Sequence, residues 1–222
     1  MMNEDMQPEK VKIENWTFRI KKPSEINDQT KLMLLLHGYM GNENVMWILA
    51  NPLPETYVFI APRAPVKIGL KQYAWHKITP QWPSLAAYKQ KADQLLERIE
   101  LWMEDNPGFN NQSFDVMGFS QGAVMAYALA FLYPERINKV ASIASFIPES
   151  WKSEINREAI TGKSFFIAHG TKDEIIPITR ASKSVDWLSQ NGADVNFCKA
   201  EIGHKISANC FEGLGDFFIK TD

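Results

Sequence analysis

Five short, nearly continuous apolar runs set the tightest limit on what this chain can fold into: LMLLL (32–36), YVFIA (57–61), FDVMG (114–118), VASIA (140–144) and FFIA (165–168). Runs of four or five residues are too short for helices. They are also too uniform for strands with one wet face. Such runs fit strands covered on both sides, the mark of a parallel sheet. DVNFCKA (194–200) alternates and reads as an edge strand. VKIENWTFRI (11–20) alternates loosely through Val11, Ile13, Trp16, Phe18 and Ile20, as one or two antiparallel edge strands would.

Helical patterns separate the runs. Between Ser84 and Asp105, Ala92, Leu95, Leu96, Ile99, Trp102 and Met103 recur at spacings of three and four, and Asn106-Pro107-Gly108 stops the pattern. Pro177–Asn191 carries Ile178, Ala181, Val185 and Leu188 on one face, and 206–218 carries Cys210, Phe211, Leu214, Phe217 and Phe218. Strands alternating with helices of this size predict an α/β fold, a mostly parallel central sheet with helices on both faces. A chain of 222 residues without repeats or linkers reads as one domain over 11–222 behind a polar tail at 1–10.

Charge and composition remove several function classes. The net charge is −2 with both signs interspersed, and no basic block interleaves with aromatics, so nucleic acid is not an expected partner. The longest apolar run, Ala123–Tyr133, is 11 residues, far below the ~20 that span a bilayer. The N-terminal residues are polar and acidic, unlike a secretory signal. Cys198 and Cys210 match no metal spacing and are expected to be free thiols in a reducing cytosol. The expectation is a soluble cytoplasmic protein.

One local pattern carries chemistry. Gly118-Phe119-Ser120-Gln121-Gly122 follows a buried strand and opens a helix that is apolar on every side. A serine held at a sharp strand-to-helix turn needs small neighbours two residues away on each side. Its hydroxyl then stands clear of the sheet, and the next amide points the same way at a helix N-terminus. Asp115 precedes this serine inside the strand and is in the wrong place to assist it.

A serine nucleophile needs a base, and there are four histidines. His204 lies after the last strand and before the last helix, on a loop able to reach the carboxyl ends of the parallel strands. His37 and His169 each close a buried strand before a glycine and read as packing and hydrogen-bonding residues. His76 sits in a polar and aromatic loop. The carboxylate that orients the base is expected after FFIA, where HGTKDEIIP offers Asp173 and Glu174, with Asp173 better placed. The order Ser, Asp, His is that of one known class of triad. For the second oxyanion donor beside Gln121, the loop HGYMGNE offers Tyr39, with Met40 as its neighbour.

Taken together, LLLHGYMGNE, FIAPRAP, YAWHKI, MGFSQGAVMA, IASFIPE, HGTKDEIIP and EIGHKIS resemble the α/β-hydrolase superfamily. More narrowly, they resemble its phospholipase/carboxylesterase (acyl-protein thioesterase-like) family. The motifs run in family order from about Lys31 to the C-terminal helix. The resemblance implies Ser120 as nucleophile, His204 as base, Asp173 as its orienting acid, and the amides of Tyr39 and Gln121 as oxyanion donors. It implies cleavage of carboxylic esters, in some branches thioesters or lysophospholipids, without a cofactor or metal. Some members pair as homodimers. Ser145-Phe146 stands where the family often has Ser-Gly, so a ring is expected to narrow the acyl pocket.

These features predict a serine carboxylesterase for small or short-acyl esters, working through an acyl-enzyme. Met40, Trp75, Phe146 and Ile176 are the expected substrate-contacting side chains. The 18 or so residues between Phe146 and Ser164 leave no room for a large cap. The segment Arg63–Pro83, with Tyr73, Trp75, His76 and Trp82, is the candidate wall. A thioesterase or lysophospholipase would use the same triad. Dienelactone-hydrolase-like enzymes usually carry cysteine at the nucleophile, similar peptidases need larger caps, and a non-catalytic binding protein would lack a triad member.

Overall fold

The computed structural model describes residues 8–27, 29–106 and 113–220. Most of the expected polar tail, residues 1–7, lies outside them, as do Pro107 and Gly108 of the helix stop. The tail boundary needs one correction: β1 (Glu9–Ile13) already begins inside it and pairs antiparallel with β2 (Trp16–Lys21). The two strands share the loose alternation read above, because only an edge hairpin has a face left to water.

The remaining strands are β3 (Lys31–Leu36), β4 (Tyr57–Pro62), β5 (Val66–Gly69), β6 (Gln72–Ala74), β7 (Phe114–Phe119), β8 (Ile137–Ile143), β9 (Ser164–Gly170) and β10 (Asp194–Ala200). All but β5 and β6 form one sheet in the order β1-β2-β4-β3-β7-β8-β9-β10. From β4 to β10 every pairing in it is parallel. Each apolar run is thus a strand. Successive residues serve opposite faces: Leu32, Leu34 and Leu36 enter one core cluster, Met33 and Leu35 the other.

Among the described residues five α-helices cover the sheet: α1 (Trp47–Ala50), α2 (Leu85–Glu104), α3 (Gln121–Leu132), α4 (Ile178–Gln190) and α5 (Ala208–Ile219). The first core cluster takes its helical side chains from α2, α3 and α4, the second from α1 and α5. Nearly all of α3 is buried, as its uniform apolarity requires. Between β8 and β9 only two short 3-10 turns occur, Glu149–Trp151 and Arg157–Ala159, so no large cap covers the site.

Two features escaped the sequence patterns. β5 and β6 make a small separate hairpin, tied to the loop after β3 by a hydrogen bond from the Tyr73 amide to the Gly41 carbonyl at 3.0 Å. The expectation of free thiols is overturned, because Cys198 on β10 and Cys210 on α5 form a disulfide. The helix packs against the edge strand and brings together two residues 12 positions apart. No spacing rule on a single chain reveals that contact.

Asp115 is buried within β7. Its carboxylate accepts hydrogen bonds from Tyr57 Oη, from Asn138 Nδ2 at 3.1 Å and from the Lys139 amide at 3.0 Å. Burial outweighs these donors and pushes its pKa above the usual range. It is a satisfied structural carboxyl.

Candidate active site

The chain order reverses at β3, with β4 on one side and β7 on the other. A crevice opens at the carboxyl ends of strands where such a reversal occurs. The turn from β7 into α3 lies there. Ser120 sits at φ 52° and ψ −118°, a region non-glycine residues occupy only under constraint. Its amide donates to the Ile143 carbonyl at 2.8 Å, and its carbonyl accepts from the Ala123 amide at 2.9 Å. Its side chain caps nothing.

The flanking glycines are explained by contact distances. A Cβ on Gly118 would lie 2.4 Å from the backbone of Gly122 and Ala123. One on Gly122 would lie 2.0 Å from the Leu36 carbonyl oxygen. Both distances are below any real Cβ contact, so the turn admits no larger residue at either place.

The other two candidates meet. His204 Nδ1 lies 2.7 Å from Asp173 Oδ2. Asp173 is buried, and its Oδ1 accepts from the amides of Ile175 and Ile176, each at 2.9 Å. Burial alone would raise the carboxyl pKa. The Ile176 amide, His204 and the Ile175 amide together outweigh it and hold Asp173 below the usual carboxylate range. The imidazole therefore faces an ionised partner at Nδ1. Glu174 is exposed beside it.

Ser120 and His204 line the same cleft, of about 360 Å³. Among the described residues no hydrogen bond joins them. Such contacts commonly tighten only around bound substrate. Phe119 packs edge-on against the His204 ring, with centroids 5.0 Å apart.

The candidate oxyanion donors lie together at the crevice. Gly38–Gly41 is a turn closed by the Gly41 amide on the Gly38 carbonyl at 3.1 Å, with Met40 left-handed at φ 66°. Gly38 abuts the serine turn, since a Cβ there would come within 3.1 Å of the Phe119 carbonyl oxygen. Tyr39 and Met40 both line the cleft. The Gln121 amide opens α3 and by position has no intrahelical partner.

Of the expected substrate contacts, Met40 and Ile176 line the cleft, whereas Trp75 and Phe146 do not. Trp75 is fully buried, donating Nε1–H to the His37 carbonyl at 2.8 Å. Phe146 lies under Trp82 (ring centroids 4.8 Å apart) and under the Arg180 guanidinium, 4.2 Å from its ring. Its ring serves as a floor for those two residues. Trp82, named above only as a candidate wall, does line the cleft.

Several supporting side chains went unread. The Gln121 side chain clamps the loop after β6: Oε1 accepts from the Trp75 amide at 2.8 Å, and Nε2 donates to the His76 carbonyl at 2.8 Å. Glu43 is buried and receives Nε and Nη2 of Arg63, pinning the loop after β3. The one available signal was an acid and an arginine inside motifs that each end a buried strand. His169 Nε2–H donates to the Ile176 carbonyl at 2.8 Å and braces the Asp173 loop.

His37 has the packing role expected of it. The Ala64 amide donates to its Nε2 at 3.0 Å, so Nδ1 carries the proton and donates to the Gly38 carbonyl at 2.8 Å. Burial is the main cause that lowers its pKa from 6.5 to about 4, against smaller raising effects of Gly38 and Glu43. The unfolded chain takes up this proton near pH 6.5 and the folded chain only near 4. Stability is therefore complete above 6.5 and is lost as the pH falls toward 4, by up to about 3 kcal/mol. Denaturant titrations from pH 7.5 to 4.5 should show that slope, and His37→Gln should flatten it. An unchanged slope in the variant would refute the assignment.

Among the described residues no three His, Cys, Asp or Glu side chains group as a metal site, and no helix is long and apolar enough to cross a membrane.

A serine turn at the switch point of a mostly parallel, helix-covered sheet defines the class, and this protein has the α/β-hydrolase fold. Its backbone superposes on a Bacillus cereus carboxylesterase with a TM-score of 0.78 at 19% identity, over 92% of this chain and 94% of that one. Within the class, it belongs to the phospholipase/carboxylesterase family, whose model matches residues 17–221. Similar proteins include acyl-protein thioesterase 1 of Emericella nidulans, 25% identical over 198 residues (78% of this chain, 82% of the relative). A probable carboxylesterase, SOBER1-like, of Arabidopsis thaliana is 26% identical, over 79% of this chain and 72% of its own. Family membership makes the protein a hydrolase of the esterase and thioesterase kind.

Proposed function

We propose that the protein is a serine carboxylesterase in which Ser120 is the nucleophile, His204 the general base and Asp173 the group that orients it. The observation that carries this reading is the 2.7 Å contact of His204 Nδ1 with buried Asp173, on a cleft that Ser120 shares. With Nδ1–H donated to the carboxylate, Nε2 is left to take the Ser120 proton as Oγ attacks the ester carbonyl. The Tyr39 and Gln121 amides receive the negative charge of the tetrahedral oxygen, each worth a few kcal/mol in comparable sites (about 3–4). His204 then passes the proton to the departing alcohol. Water, activated by the same imidazole, releases the acid and restores the serine.

A cleft of about 360 Å³ lies at the small end of ligand sites and suits small esters. An adjoining apolar groove of about 690 Å³ shares Tyr39, Met40 and Phe119 with it and adds room for an acyl chain. The chain-length limit accordingly rests on these walls and not on Phe146. The names of the thioesterase relatives favour a second reading, thioester cleavage by the same residues.

A fluorophosphonate probe should label the protein at Ser120, as peptide mapping would read. Adduct formation elsewhere, or none, would sink the proposal. Matched p-nitrophenyl esters and thioesters, competed against each other, separate the two substrate readings. The Cys198–Cys210 bridge favours a compartment less reducing than the cytoplasm expected from two free thiols. Alkylation of thiols in freshly lysed cells decides between them.

A further inference from the structure

Among the described residues, the charged side chains that line the cleft at Ser120 are basic, with the ionised Asp173 behind His204. The chain as a whole is slightly acidic, with 26 Asp and Glu against 24 Lys and Arg. Yet the described residues lining the cleft and its adjoining groove include Lys77, Arg180 and Lys205, and no Asp or Glu. Among the described residues no carboxylate pairs with Lys77 or Arg180. The Arg180 guanidinium rests instead on Phe146, 4.2 Å above its ring. Phe146 is itself 97% covered, at 3% exposure, so the platform is rigid.

Helix stability does not account for Arg180. It is the third residue of α4, at the end where the helix dipole opposes a cation. A cation and a helix N-terminus both favour an anion between them. Stacking on an aromatic face keeps the planar fork of Arg180 pre-organised, with its edges open to hydrogen bonding.

We propose that this hydrolase acts on esters carrying a carboxylate on the part of the substrate that lies toward Arg180 and Lys77, with Arg180 as its principal binding residue. The inference rests on the serine-esterase reading and narrows its substrate class. A planar fork matches a carboxylate with two parallel hydrogen bonds, and Lys77 adds a point charge from the loop after β6. The buried Ile176 and the Trp82 ring give the cleft apolar walls, which strengthen the attraction and also draw anionic substrates in.

The experiment compares pairs of equal shape and unequal charge. For an acyl-side carboxylate, the pair is p-nitrophenyl hydrogen adipate and its adipamate. For the leaving-group side, it is 4-acetoxybenzoate and 4-acetoxybenzamide. In one of the two pairs, kcat/KM for the charged member should exceed that of the amide by about tenfold or more, the worth of a charge-assisted hydrogen bond. That ratio should collapse in Arg180→Gln, recover in part in Arg180→Lys, and shrink in 0.5 M salt for the wild type as screening shortens to a few ångströms (about 4). Thermal unfolding of each variant checks that the change is one of preference. Equal rates within both pairs would overturn the proposal, as would a ratio indifferent to Arg180→Gln or governed by Lys77→Gln alone. Turnover of the uncharged members that depends on Ser120 would still uphold the esterase reading, so the two can fail separately.

Discussion

Ser120→Ala is expected to yield a folded protein whose ester hydrolysis has fallen by on the order of 10⁴- to 10⁶-fold, the loss seen when a triad nucleophile is removed. Stability should hardly change, for a structural reason. The Ser120 hydroxyl caps nothing at the start of α3, whereas the backbone bonds to Ile143 and from Ala123 survive the substitution. Alanine also tolerates the φ of 52° no worse than serine. The fluorophosphonate adduct should vanish with the activity. Full p-nitrophenyl ester turnover in a purified Ser120→Ala protein would remove the mechanism altogether. A large fall in melting temperature would show that the hydroxyl has a structural partner.

Opening the Cys198–Cys210 bridge, by paired Cys198→Ser and Cys210→Ser substitutions, is the second large effect. The bridge closes a loop whose ends are 12 residues apart, and His204 lies inside it. Closing a loop of that size removes about 3 kcal/mol of chain entropy from the unfolded state. For a chain of this length, each kcal/mol shifts the melting temperature by roughly 2–4 °C, so a fall of roughly 6–12 °C is expected. Activity measured well below the lowered transition should drop as well. The bridge ties the end of β10 to the start of α5, and the loop between them presents His204 to Asp173. Equal melting curves for the two proteins would mean that the bridge contributes nothing to stability in solution.

Much of the fold was legible because burial leaves a plain trace in composition. Strands covered on both faces must be apolar at every position, so 32–36, 57–61 and 165–168 could be read as sheet interior. A central helix must be apolar all round, as α3 is. The hairpin of β5 and β6 left no such trace, since five of its seven residues are only half-buried and one is exposed, and its pairing is local. Candidate site residues were legible for a different reason. Gly118 and Gly122 bracket Ser120 because no side chain fits against the backbone there, and that exclusion shows as glycine in the chain itself.

What the chain alone determined were the requirements met within one element: which runs are strands, which turn must hold a serine, and which late loop carries a histidine. What only the tertiary structure decided were meetings between elements. Those are the disulfide joining β10 to α5, the Gln121 clamp on the loop after β6, and the burial of Phe146 beneath Arg180 in place of an open channel wall. Periodicity records how much of a residue is covered and on which side. It carries no record of which distant side chain does the covering, because apolar burial is non-directional and many partners would satisfy the same pattern.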